Sequence, residues 1–140
     1  MIHEVMHTLV FSIIPAYYDN WVDSNLDKYI DVAPNVVKQA SNFRGTTSEV
    51  IITPKVVQAA RDHFNWPTLA GLELEQQGGT GTAGSHWEKR VAREDFMVGD
   101  LGIADPSYYT FTFALLEDSG WYKIEADDYS WTHPMNWGKD

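Results

Sequence analysis

The sequence predicts an α+β fold, mainly α with long irregular loops. Three observations carry that prediction: three sets of apolar residues at helical spacing, a single short β-branched run, and a long stretch with no clear period. Met6, Leu9, Val10, Ile13 and Ile14 form the first apolar stripe, which predicts a helix from about Ile2 to Ile14. Pro15 ends it, because its ring cannot continue the hydrogen-bond ladder.

Residues from Tyr17 to Gly45 mix acidic, aromatic and aliphatic side chains with weak periodicity, and read as an irregular excursion with short helical turns. Glu49 to Ile52 is a short strand candidate. Thr53-Pro54 then supplies a cap followed by proline at the first helical position, and Val56, Val57, Ala60 and Phe64 face inward along the second helix. Ser107 caps a third helix with Tyr108, Phe111, Leu115 and Leu116 on one side, and Gly120 is its stop. No internal repeat or interdomain linker interrupts the chain.

At 140 residues the chain is one domain or part of one, and a fold of that size buries about 68–70% of its unfolded surface. Apolar residues make up 44% of it, ample for a core. The net charge of −10 argues against a nucleic-acid or anionic-membrane partner, since no basic stripe offsets phosphates. No apolar run approaches the roughly 18 residues of a transmembrane helix. The start, Met1-Ile2-His3-Glu4, has no basic region and does not read as a signal peptide. Cysteine is absent, which fits a reducing compartment or a variant without disulfides.

His3-Glu4-Val5-Met6-His7 is the motif that carries chemistry. Histidines four apart share one face of a helix, so both imidazoles reach a single metal, and Glu4 sits beside them without being a ligand. This is the arrangement of a zinc hydrolase: zinc lowers the pKa of water, and the carboxylate takes its proton and passes it to the leaving amine. The bland alternative is an amphipathic helix with a surface His-Glu pair. The motif opens at residue 3, so the chain reads as the second half of something larger.

A catalytic zinc needs a third protein ligand and an open fourth position. The compact pattern HExxHxxGxxH would place a glycine at Val10 and a histidine at Ile13, so the third ligand must come from farther along. Three histidines remain. His63 lies near a helix end and reads as a capping or surface residue; His133 lies in a loop near the C-terminus. His86 follows a run of small residues, Gly78 to Ser85, that lets backbone approach a buried site closely, and is the best candidate. Within that run, Gly79 to Gly84 spells GxGxxG. A dinucleotide loop would need a buried strand before it and a helix after it, and the acidic alternation of Leu72 to Gln77 does not supply the strand.

The segment Leu74–Arg90 (LEQQGGTGTAGSHWEKR), the later block Ala114–Lys123 (ALLEDSGWYK) and Trp137-Gly138-Lys139 resemble, in order, blocks of the leishmanolysin family of zinc metallopeptidases. The resemblance covers most of the chain. It implies the C-terminal portion of a metzincin-like zincin catalytic domain that starts at the active-site helix, with residues 1–140 a single unit lacking the N-terminal sheet subdomain. It implies one Zn2+ per chain held by His3, His7 and His86, with Glu4 as general base and Met97 as the methionine turn beneath the metal. The implied reaction is hydrolysis of peptide bonds in peptide or protein substrates, in association with an N-terminal portion or a larger assembly. It also implies a cell-surface or secreted setting, against which the lack of cysteine keeps an intracellular one open.

The chain departs from the family pattern at Val10, where glycine is usual, and in having no cysteine. Those departures define the rival reading: a degenerate, non-catalytic relative that serves as a structural or interaction subunit. An intact set of His3, His7, His86 and Glu4 favours the enzyme, because drift removes such residues first.

Overall fold

The computed structural model of the chain describes residues 2–12, 18, 20–22, 36–43, 45–100, 110–125 and 135–139. Helix α1 spans Ile2–Leu9 and ends before the expected stop at Ile14. The Met6 carbonyl accepts hydrogen bonds from both Val10 N (2.9 Å) and Phe11 N (3.0 Å), which closes the last turn. No residue of α1 is fully buried, whereas Val10 and Phe11, just beyond it, are completely so. Burial of those two side chains therefore turns the chain before Pro15, which lies outside the described residues. Among the described residues only Asn65 is a non-glycine with positive φ, so Val10 adopts a backbone open to any L-residue. A glycine is not needed there.

Strands β1 (Val37–Phe43) and β2 (Thr46–Ile51) form an antiparallel hairpin with Val37 opposite Ile51 and Phe43 opposite Thr46. Gly45 makes its turn at φ +82°, in the left-handed region that suits glycine. β1 lies inside the stretch expected to be irregular. Its sequence VKQASNF has no alternating pattern, and pairing with β2 supplies what local propensity lacks. The expected strand at Glu49–Ile52 is found, but it starts earlier and ends one residue sooner. The rest of the Tyr17–Gly45 reading falls largely outside the described residues.

Helix α2 (Pro54–His63) follows with Pro54 at its first turn, as expected. Thr53 makes no side-chain cap bond. The cap comes instead from Asp118 at the far end of helix α3 (Thr110–Asp118): its carboxylate accepts Lys55 N at 3.0 and 3.1 Å and Val56 N at 2.9 Å. Burial pushes the Asp118 carboxyl above the usual range, and these amide hydrogen bonds pull it back. A carboxylate at the positive end of α2 also complements the helix dipole. Val56, Val57 and Ala60 of α2 face inward, with Phe64 packed against the same core, and Phe111, Leu115 and Leu116 of α3 are buried. Gly120, at φ +75°, ends α3 as expected; Ser107 and Tyr108 lie outside the described residues.

Strand β3 (Leu72–Glu73) pairs antiparallel with β2, giving a three-stranded sheet ordered β1-β2-β3. A Cβ on Gly71 would stand 2.7 Å from the Ile51 carbonyl oxygen, so only glycine lets β3 come in against β2. Extended backbone continues past β3: Leu74 bridges Trp87, and Trp87 bridges Val98. The core gathers around Trp87, which is fully buried with its ring 4.7 Å from Phe11 and 6.4 Å from Phe111. Each such buried side chain contributes roughly 1.5–3 kcal/mol relative to exposure. The sequence thus folds as α+β, with more sheet than its pattern announced. Among the described residues no helix is long and apolar enough to cross a membrane.

Candidate metal centre

Three segments that are distant in sequence meet at one cleft: α1, the glycine-rich loop before His86, and the turn Asp95–Gly99. Side chains alternate along extended backbone, so Trp87 enters the core while His86 faces the cleft. The loop is closed at its base by Glu75. Its N–H donates to the His86 carbonyl (2.8 Å), its carbonyl accepts Gly84 N (2.8 Å), and its carboxylate accepts Gln76 N and Gln77 N, each at 2.9 Å. Inside the loop a single 3-10 turn, Gly79–Gly81, packs Thr82 against Gly78, where a Cβ would lie 2.7 Å from the Thr82 Cβ. After Gly84 the chain is extended rather than helical, and the loop lies between bridged segments 74 and 87. GxGxxG here is a loop that carries a histidine, not a phosphate cradle.

The three imidazoles are held alike. His3 Nδ1 lies 2.7 Å from the Phe96 carbonyl, His7 Nδ1 2.9 Å from the Phe11 carbonyl, and His86 Nδ1 2.8 Å from the Thr82 carbonyl. A carbonyl oxygen only accepts, so each Nδ1 carries a hydrogen, and Nε2 is the ring nitrogen each histidine can offer to a metal. Those three Nε2 atoms converge, 3.0 Å apart for His3 and His86, 3.3 Å for His7 and His3, and 3.2 Å for His7 and His86. Neutral acceptors facing one another at such distances repel unless a cation sits among them.

Tetrahedral zinc with Zn–N bonds of about 2.0–2.1 Å places its ligand nitrogens about 3.3–3.4 Å apart. The observed separations match that geometry to a few tenths of an ångström. The backbone carbonyls behind the rings supply the outer partners that orient metal-ligating histidines. Burial also lowers the His86 pKa, with His7 and His3 adding to the effect against the Thr82 hydrogen bond and Glu4, so its ring favours the neutral, ligating form. Among the described residues these three are the only group of His, Asp, Glu or Cys gathered closely enough to hold a metal. The residues fit zinc.

The cleft they line has a volume of about 390 Å³ and is also lined by Glu4, Ser12, Thr80 and Ser85. Glu4 is exposed to solvent, one residue from His3 and on the cleft wall. Met97 is fully buried in the core. Its turn adjoins the histidines at two points: the Phe96 carbonyl, just before it, lies against His3, and Gly99, two residues after it, faces Thr82 and the His86 ring.

His63 is not a surface residue. It is buried at the C-terminal end of α2, its Nε2 donates to the Trp137 carbonyl (2.9 Å), and its ring packs against Phe64 and Phe111. Burial lowers its pKa as well. Its place is structural, and it is not among the three converging rings. His133 lies outside the described residues. Sequence reasoning missed the groups that orient the site: the carbonyls of Phe11, Thr82 and Phe96, which carry no side-chain signal, and Glu75 and Asp95, which read as ordinary acidic residues.

The leishmanolysin family profile matches residues 1–140. The chain is 45% identical over 108 residues to a leishmanolysin-like peptidase of Drosophila melanogaster, covering 74% of this chain and 15% of that protein. It is 37% identical over 141 residues to a leishmanolysin homolog of Crithidia fasciculata, covering 99% of this chain and 18% of the relative. Leishmanolysin of Leishmania major is 35% identical over 139 residues, 99% of this chain and 20% of its own length. The chain therefore spans a fifth or less of these relatives. With matches of this extent, the chain belongs to the leishmanolysin family of metallopeptidases.

Proposed function

We propose that His3, His7 and His86 bind one zinc ion and that the site hydrolyses peptide bonds with Glu4 as general base. The observation that carries this reading is the convergence of three Nε2 lone pairs within 3.3 Å of one another, each ring fixed from behind by a carbonyl. Zinc bound there would supply Lewis acidity, lowering the pKa of water and stabilising charge on a carbonyl oxygen. The chain's own contribution is positional and acid–base. Glu4, on the cleft wall and free of any ligand role, accepts a proton from water and returns it to the leaving amine. The histidines need no proton exchange, because their Nδ1 hydrogens are committed to backbone carbonyls. Met97 serves as the buried floor of the turn under the site.

The unit itself corresponds, in this reading, to the part of a leishmanolysin-like catalytic domain that begins at the active-site helix. The family match supports this, as do Ile2 and Val5, which leave about half their surface exposed on α1 (50% and 47%). Peptide or protein substrates, alignment by further chain and association with a larger assembly are parts of the same proposal.

The test is metal analysis and peptide cleavage, made in a chain that includes the residues needed for activity. His86→Ala should lose most of the bound zinc. Glu4→Gln should keep zinc and lose about 10²–10⁴-fold in activity, since an amide cannot take the proton. Unchanged zinc content in His86→Ala, or near wild-type cleavage by Glu4→Gln, removes the corresponding assignment.

A further inference from the structure

Behind the histidines lies a second, fully buried polar node that touches none of them. The Asp95 carboxylate is 0% exposed, and its Oδ1 accepts both the Met97 amide (2.8 Å) and the Thr112 hydroxyl of α3 (3.1 Å). The Thr112 oxygen accepts in turn the indole N–H of Trp87 (3.0 Å). Trp87 N also donates to the Met97 carbonyl (3.0 Å). The node thus joins α3, the segment carrying His86 and the turn carrying Met97. The node adjoins the site at two places: Trp87 follows His86 directly, and Phe96, whose carbonyl holds His3, lies between Asp95 and Met97.

Burying a carboxylate without a cationic partner is costly, and burial pushes Asp95 up to about 7. Stability alone is a poor reason for an acid here, since an apolar side chain would carry no such cost. What the side chain does provide is a fixed acceptor, Oδ1, which holds the backbone just after Phe96 and the hydroxyl of α3 at one point.

We infer that Asp95 is a positioning residue for the metal site, acting through Thr112, Trp87 and the Phe96 carbonyl to fix the tautomer and angle of His3 and the placement of His86. This deepens the zinc reading and rests on it. Asp95 touches neither substrate nor metal; its effect is on ring orientation, and outer partners of that kind are commonly worth 10–100-fold in metal affinity.

The experiment compares Asp95→Ala, Asp95→Asn and Thr112→Val with a core control, Leu115→Ala, which lies on the same helix as Thr112. Zinc affinity is measured by competition with a chelator, ligand geometry by the visible absorption of the Co2+-loaded protein, and the His3 tautomer by imidazole 15N shifts in the metal-free protein. Asp95→Ala and Thr112→Val should weaken zinc about 10-fold or more, change the Co2+ spectrum and move His3 towards the Nε2–H tautomer. Asp95→Asn keeps an oxygen for the Met97 amide and should stay within a few-fold of wild type. Leu115→Ala should destabilise the fold with the spectrum and tautomer unchanged. Should Asp95→Ala fail to fold, Thr112→Val decides the matter. Wild-type affinity, spectrum and tautomer in Thr112→Val, or equal changes in Leu115→Ala, overturn the positioning role. A wild-type protein that takes up no zinc overturns the underlying zinc reading, and is thereby distinguishable.

Discussion

Helices α1 and α3 are of similar length, yet they are held by opposite means. α3 buries Phe111, Thr112, Ala114, Leu115, Leu116 and Asp118, so packing surrounds it on most sides. α1 buries no residue fully; Met6 and Leu9 only rest against the core. What anchors α1 is polar and sits at its cleft face: His3 to the Phe96 carbonyl, His7 to the Phe11 carbonyl, and the apolar tail Val10-Phe11 just past its end. The lesson is a division of labour. α3 is held by packing, while the helix that carries His3 and His7 is positioned by directional bonds that a bound cation would complete.

Damage to each helix separately tests this difference most directly. Leu115→Ala should cost about 2–5 kcal/mol of stability, as large-to-small changes in cores do, while bound zinc per folded molecule stays the same. A fall in bound zinc per folded molecule would show that damage to the packed half reaches the site. Denaturant unfolding paired with metal analysis reads both.

Metal removal is the complementary cut. A ligand present at about 100 times its Kd stabilises the state it binds by about 2.7 kcal/mol. Amide exchange from Met6 to Phe11 should therefore slow by up to about 100-fold when zinc is added, with the amides of α3 changing far less. Exchange that slows equally in both helices would mean that the two are held as one unit.

The smallest expected effect concerns the link between α2 and α3. Asp118→Ala removes the bonds to Lys55 N and Val56 N, and losing a helix cap costs about 0.5–2 kcal/mol. Thermal unfolding of Asp118→Ala beside Asp118→Asn, which keeps one acceptor, measures it. No change in zinc affinity should accompany the shift, because Asp118 contacts the α2 terminus rather than the cleft.

Local pattern settled a good part of this molecule. The spacing of His3 and His7 placed two rings on one helical face, because an α-helix returns to the same side every 3.6 residues. Pro54 and Gly120 marked a helix start and a helix stop through properties internal to those residues, a fixed φ and a tolerated positive φ. The glycine-rich run before His86 announced a close backbone approach. Tertiary structure decided the rest. α1 ends at Leu9 because Val10 and Phe11 are drawn into the core, which no local signal states. β1 exists because β2 pairs with it, and backbone pairing leaves no mark on VKQASNF. Asp118 caps a helix 62 residues upstream at Val56, and Asp95 clamps a turn to α3. Such partners are invisible in sequence because a carboxylate looks the same in water as in a buried node. The convergence of three lone pairs belongs to both levels: residue identity supplied the imidazoles, and only the fold brought His86 to within 3.2 Å of the other two.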